Sequence, residues 1–181
     1  MDTIKCIKTR RSIRKFTGEK VSHDVIREIV DAASYAPSWK NTQITRYIVV
    51  EDEALKNKIA EDCVMNFSFN TKNIKGAPQL VVVTYRKGIC GYERDGSFTT
   101  SKGDKWQNFD TGIATQTFCL AAHEKGVATV ILGVFDDKDV AEALNLPDDR
   151  EVAALIAMGY AEGDAPDAPA RKSVDELLEI R

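Results

Sequence analysis

The stretch NFDTGIATQTFCLAAHEKG, Asn108–Gly126, decides the architecture. It carries a single charge, Asp110, before His123, and it places small or apolar side chains on nearly every side rather than along one stripe. Gly126 stands at the C′ position, where a residue in the left-handed region commonly ends a helix. A helix with no broad solvated face belongs in the interior, so this segment is predicted to be the central helix of the protein.

Working outward, the segments around it alternate in type without strict βα order. "ITRYIVV" (44–50), "LVVVTY" (80–85), "ATVIL" (128–132) and "VAALIAMGYA" (152–161) are rich in β-branched and aromatic residues and read as strands. "SHDVIREIVDAASYA" opens on Ser22 as N-cap, has Asp24 in its first turn, and spaces Val25, Ile26, Ile29, Val30 and Ala33 as one helical face ended by Pro37. "DEALKNKIAEDCV" and "DDKDVAEALNL" also read as helices, the latter capped by Asp136 or Asp137 and followed by Pro147. A short helix is expected over roughly 3–9. The fold class that follows is α+β, a sheet covered by helices.

The chain of 181 residues suits one domain spanning 1–181, which at this length buries about 70% of its unfolded surface. Two segments lack a core of their own. Residues 86–108 hold four of the eleven glycines and read either as a mobile lid, with Tyr92, Phe98 and Trp106 facing substrate, or as a disordered excursion. Residues 163–181 form a C-terminal arm ending in "SVDELLEI", whose apolar side chains need a surface to cover, a partner subunit being one candidate.

Several function classes are excluded by pattern. Cys6, Cys63, Cys90 and Cys119 have no C-x-x-C spacing and no neighbouring His, which argues against structural zinc or any metal. No two glycines stand two apart, so the G-x-G-x-x-G dinucleotide fingerprint is missing, as are the phosphate loop and the G-x-S-x-G elbow. His23 and His123 are expected to be structural or surface residues, and no acid–base residue is assigned. A formal net charge of −3 argues against nucleic acid. No apolar run reaches the roughly 18 residues a bilayer demands, so no membrane is expected and a reducing cytoplasm is the expected location.

Against this acidic background "TRRSIRKF", Thr9–Phe16, concentrates four positive charges. In extended chain Arg10, Ser12 and Arg14 project to one side and Arg11, Ile13 and Lys15 to the other. Two guanidinium forks flanking a hydroxyl form a receptor for phosphate, whereas a solvated face capping the preceding helix is the plainer alternative. Arg171 and Lys172 form a second basic pair in an otherwise acidic tail, so the two clusters could clamp one dianion. "APSWKNTQ", 36–43, offers Ser38, Trp39, Asn41 and Gln43: a hydroxyl, an aromatic plane and two amides. Primary amides suit a heterocycle edge bearing both donors and acceptors, such as a flavin's, and a side-chain-stabilised turn is the alternative.

Taken together, "RRSIRKF", "A-P-S-x-x-N-x-Q" (36–43) followed by a strand, "APQLVVV" (77–83), "DTGIATQTFCLAA" (110–122), "GVATVILG" (126–133) and "PARKSVDEL" (169–177) resemble the FMN-dependent nitroreductase family. The resemblance implies a mixed, mainly antiparallel sheet flanked by helices, and a homodimer with FMN at the subunit interface and the C-terminal arm reaching the partner. It implies that Arg10, Arg11 and Ser12, supported by Arg14, hold the ribityl phosphate and the flavin's polar edge, with Arg171 and Lys172 as the C-terminal phosphate contact. It places Ser38, Trp39, Asn41 and Gln43 against the partner's isoalloxazine ring, Ile131, Leu132 and Gly133 over that ring, and Asn70 at a weaker contact. It implies NADH or NADPH as donor and a ping-pong transfer of hydride to a nitroaromatic, quinone or similar small-molecule acceptor. Flavin reductases, dehalogenating enzymes and dehydrogenases share the fold, and a non-catalytic flavin-binding or sensory protein is the alternative of a different class. Gln43-Ile44-Thr45 stands where members often read Q-P-W, so substrate preference is not carried over.

Overall fold

Four strands form one sheet in a computed structural model that describes residues 2–181: β1 (Thr45–Val50), β2 (Gln79–Arg86), β3 (Ala128–Leu132) and β4 (Arg150–Gly159). Their order is β1-β2-β4-β3 and all three pairings are antiparallel. Parallel contact is confined to one bridge, Ser12 to Thr129, on the outer edge of β3. The helices are α1 (Thr3–Thr9), α2 (His23–Ser34), α3 (Glu53–Asp62), α4 (Ser68–Gly76), α5 (Lys105–Glu124), α6 (Asp137–Ala143) and α7 (Val174–Leu177).

The strands alternate between two cores. Leu80 and Val82 of β2, with Leu155 and Ala157 of β4, face Ile59 of α3, Ile74 of α4 and Val140 of α6. Val81 and Val83, with Ile156 and Met158, face Ile29 of α2 and Phe118 and Ala122 of α5. Helices on both faces explain why β2 reads as an unbroken apolar run, since neither side of that strand meets water.

Local chemistry sets the ends. Ser22 Oγ accepts from Val25 N–H, Asp52 from Leu55 N–H, and Asp136 from Lys138 and Asp139 N–H. Helix α5 closes on Lys125, with Gly126 at φ 74° behind it. The helix begins three residues earlier than its apolar pattern predicted, so 105–108 of the expected loop are helical. Helix α4 was not foreseen. Its sequence SFNTKNIKG has no side-chain N-cap bond and little apolar periodicity, and Ile74, buried against the sheet, anchors it.

The 87–104 segment is built of turns. Thr99 N–H donates to Gly91 O at 2.9 Å, Glu93 N–H to Ser97 O at 2.8 Å, and the Tyr92 and Phe98 rings lie 4.9 Å apart. From Ala161 to Arg181 every residue is exposed, α7 included, although Ser173 and Glu176 complete a capping box.

Candidate functional site

The basic stretch lies along the β3 edge of the sheet. Ile13 N–H donates to Thr129 O at 3.1 Å, and Thr17 N–H to Tyr160 O at 2.9 Å, which keeps residues 12–17 extended. Its arginines then divide in role. Arg11 Nη1 donates to Lys8 O at 2.7 Å and Arg10 O at 2.9 Å, so it caps the C-terminal end of α1, the plainer of the two readings. Arg14 Nη1 reaches Ser12 O at 3.3 Å and is exposed. The guanidinium of partly buried Arg10 forms no hydrogen bond or ion pair among the described residues, and the residue lines a cleft of about 330 Å³ with Thr9, Arg11, His123, Val127 and Thr129.

His123 belongs to this cleft, which the sequence reading missed. Its Nε2 lies 2.9 Å from Thr9 Oγ1, and burial first, then the Arg10 guanidinium, hold it below the ordinary imidazole range. Arg11 lines the same cleft but its Nη1 is bonded to Lys8 O and Arg10 O, so Arg10 is the guanidinium there without a bonded partner among the described residues.

Ser12 and Arg14 line an adjoining cleft with Lys15, Glu162 and Asp164. The C-terminal arm starts beside both, Ala165 at the first and Pro166 at the second. It then leaves. Among the described residues Arg171 bonds Pro169 O alone, at 3.3 Å, Lys172 is exposed, and neither lines the Arg10 cleft.

The amide segment lies elsewhere. Ser38 and Gln43 rim a cleft of about 480 Å³ between α2, β1 and α5, walled by Val30, Tyr47 and Ala114. Trp39 opens a single 3-10 turn, and Lys40, Asn41 and Gln43 all take positive φ, 45°, 55° and 47°. Three non-glycine residues in the left-handed region within four positions store strain that the surroundings must hold. Ser38 Oγ accepts from Gln43 N–H at 3.1 Å, and Gln43 Nε2 donates to Asn41 Oδ1 at the same distance. The Trp39 and Trp106 rings pack at 5.0 Å, tilted by 44°, and the buried Trp39 Nε1 has no partner among the described residues.

Asp110, 4% exposed on α5, accepts from Trp39 N–H at 2.7 Å and from Cys90 Sγ at 3.0 Å. Burial, then the Asp110 hydrogen bond, push the Cys90 thiol up to about 12, which keeps it a protonated donor. A lone acid between Trp106 and Ala122, in a helix otherwise charged only at its ends, was the available sequence signal for Asp110.

The remaining candidates cluster at the end of β3. Ile131 is 45% exposed and Gly133 is exposed, but Leu132 is buried in the core, 4% exposed. Asn70 is a buried α4 residue whose Nδ2 donates to Val134 O at 2.9 Å, holding the chain just past Gly133. Thus the structure gathers Asn70 with Ile131–Gly133 and leaves the amide segment and the Arg10 cleft as separate surfaces of one chain. Among the described residues no group of three or more His, Cys, Asp or Glu is placed to hold a metal, and no helix is long and apolar enough to cross a membrane.

Comparison with known proteins gives the following. The family model for the nitroreductase family matches residues 7–160. The Bacillus subtilis (strain 168) protein named "Putative NAD(P)H nitroreductase YfhC" is 30% identical, covering 96% of this chain and 92% of that protein. An iodotyrosine deiodinase of Thermotoga neapolitana is 25% identical over 90% of each chain. Among solved structures, a nitroreductase family protein of Clostridium novyi NT superposes with a TM-score of 0.76 at 31% identity, covering 90% of this chain and 86% of that one. An FMN-dependent nitroreductase of Clostridium difficile R20291 gives 0.77 at 25% identity, covering 98% of both.

Proposed function

Because the chain belongs to the nitroreductase family, we propose that it is an FMN-dependent NAD(P)H oxidoreductase acting as a homodimer on a nitroaromatic, quinone or similar acceptor. The observation that carries the reading is the split site. Arg10 offers a partly buried, unused guanidinium on one surface, and Asn41 and Gln43 offer paired amides on another. A cofactor with a phosphate at one end and a donor–acceptor ring edge at the other joins two such surfaces when they come from two copies.

The residues fit FMN. Arg10 and Ser12 would hold the phosphate, with Arg14 beside them and Arg171 and Lys172 brought in by the arm. Ser38, Trp39, Asn41 and Gln43 of the second copy would hold the ring edge, and the backbone of Ile131–Gly133 its face. When bound, FMN would supply the hydride-transfer chemistry of a ping-pong exchange between NADH or NADPH and the acceptor. The chain's own work is to bind, orient and exclude water. Arg10 neutralises phosphate charge, the left-handed turn presents the amides in one fixed geometry, and Trp39 on Trp106 shields the wall.

Three features support two copies. Val174, Leu177, Leu178 and Ile180 of the arm are 56–85% exposed, Phe109 on α5 is 54% exposed, and the outer edge of β1 pairs with no described strand. Apolar side chains on an arm that touches no core of its own gain most by covering a second chain. The residues 87–104 are proposed as a lid over the pocket.

The test is the absorption spectrum of the purified protein under anaerobic conditions. The expected result is a flavin spectrum bleached by NADH or NADPH and restored by a nitroaromatic or quinone, with an iodinated tyrosine as the competing acceptor. Bound flavin that neither nicotinamide reduces would make the protein a flavin carrier, and failure to take up FMN would overturn the reading.

A further inference from the structure

Asp110 is the least expected charge in the molecule. It sits on the central helix, 4% exposed, and no lysine, arginine or histidine forms an ion pair with it among the described residues. A buried carboxylate without a counter-charge is costly, so a fold that retains one must draw something from its hydrogen bonds. Those bonds are specific. One oxygen, Oδ2, accepts from the Trp39 backbone N–H and from the Cys90 thiol, tying α5, the amide-bearing turn and the 87–104 segment to a single atom.

The turn needs such a tie. Lys40, Asn41 and Gln43 are left-handed, and within the segment only Asn41 N–H to Ser38 O and Thr42 N–H to Trp39 O close backbone bonds, at 3.0 and 2.8 Å. Both bonds start from residues 38 and 39, so whatever holds Trp39 sets the direction of all that follows. Asp110 holds it from beneath, Ser38 Oγ braces Gln43 from within, and the Lys40–Glu93 ion pair, 3.2 Å, crosses to the 87–104 segment. Within the turn so held, Gln43 Nε2 donates to Asn41 Oδ1 at 3.1 Å, pairing the two amides.

We propose that Asp110 is a positioning residue: its buried carboxylate pins the Trp39–Gln43 turn in its left-handed form so that the Asn41–Gln43 amide pair is preorganised for the cofactor's ring edge. This rests on the flavin reading above for the identity of the ligand, but preorganisation of the turn is a property of the chain alone. Fixing donors before binding lowers the ordering cost of binding and keeps their direction constant when charge develops on the ring edge.

The test uses Asp110→Ala and Asp110→Asn in the full chain, with FMN affinity from flavin fluorescence, the midpoint potential of the bound flavin, and thermal melting as the fold control. Asp110→Ala is expected to bind FMN at least tenfold more weakly and to shift the potential. Asp110→Asn, whose side-chain oxygen still accepts from Trp39, is expected to return affinity to within threefold of the parent. Wild-type affinity and potential in a folded Asp110→Ala protein would overturn the proposal, as would failure of Asp110→Asn to rescue. Should Asp110→Ala not fold, hydrogen exchange of the unmodified protein without FMN decides: amides 39–43 are expected to be protected nearly as well as those of α5. Free exchange there, with protection appearing only on adding FMN, would overturn it. A chain that takes up no FMN yet protects 39–43 would sink the flavin reading and leave the pinned turn standing.

Discussion

Replacing Arg10 by alanine separates the two readings of the basic stretch. The Arg10 guanidinium has no hydrogen-bond or ion-pair partner among the described residues, so its loss orphans nothing and stability should change by less than about 0.5 kcal/mol. If it is a phosphate ligand, what disappears is a charge-assisted hydrogen bond worth about 1.5–3 kcal/mol. Arg10 is partly buried beside a neutral His123, so solvent screening is incomplete and about 2 kcal/mol is a fair centre, roughly a thirtyfold rise in the Kd for FMN. The assay is fluorescence titration of apoprotein with FMN alongside a thermal melt, repeated with riboflavin, which lacks the phosphate. The loss should be confined to FMN. Arg11→Ala is the internal contrast: it removes the cap on Lys8 O and Arg10 O and should cost about 1 kcal/mol of stability. Wild-type FMN affinity in Arg10→Ala, or an equal loss for riboflavin, would refute the phosphate role.

Other consequences are independent of that cleft. A Cβ added at Gly159 would lie 2.7 Å from the Pro78 ring and 3.2 Å from Phe16, so Gly159→Ala should lose about 1–3 kcal/mol in urea unfolding, and no shift in midpoint would contradict the packing. Glu51 is held below the usual carboxylate range by its hydrogen bond to His23 and then by that to Gln79. A depressed carboxyl stabilises the fold above its unfolded value and loses that contribution as pH falls. Stability should therefore decline below about pH 5, by less than about 1 kcal/mol because the group is partly exposed, and Glu51→Gln should flatten this part of the pH–stability curve. Deleting 163–181 should give a monomer in sedimentation velocity that no longer retains FMN; a truncated chain that stays dimeric and yellow would remove the arm from the interface.

Much of the fold was legible in the chain because the physics there is local. The Ser22 and Asp136 caps, Gly126 behind the central helix and the β-branched runs at 44–50, 80–85 and 128–132 each act within a few residues, and each appears where its pattern put it. Helix α4 was missed because its stability comes from Ile74 against the sheet rather than from its own sequence. Among the site residues, the chemistry of Arg10, Asn41 and Gln43 could be named from residue type, but not their availability.

The sequence by itself determined most of the elements and their order, α4 excepted, and which side chains offer cationic and amide groups, because periodicity, capping and functional-group chemistry travel with the residue. Only the tertiary structure decided that Arg11 is spent on a helix end while Arg10 is free, that the basic and amide surfaces lie apart on one chain, and that Asp110 reaches 71 positions back to hold Trp39. The reason is physical: a donor's role depends on which acceptors the folded chain brings within about 3 Å of it; Arg11 finds its own within three residues, whereas the carboxylate that meets Trp39 is brought there by long-range packing that no local pattern encodes.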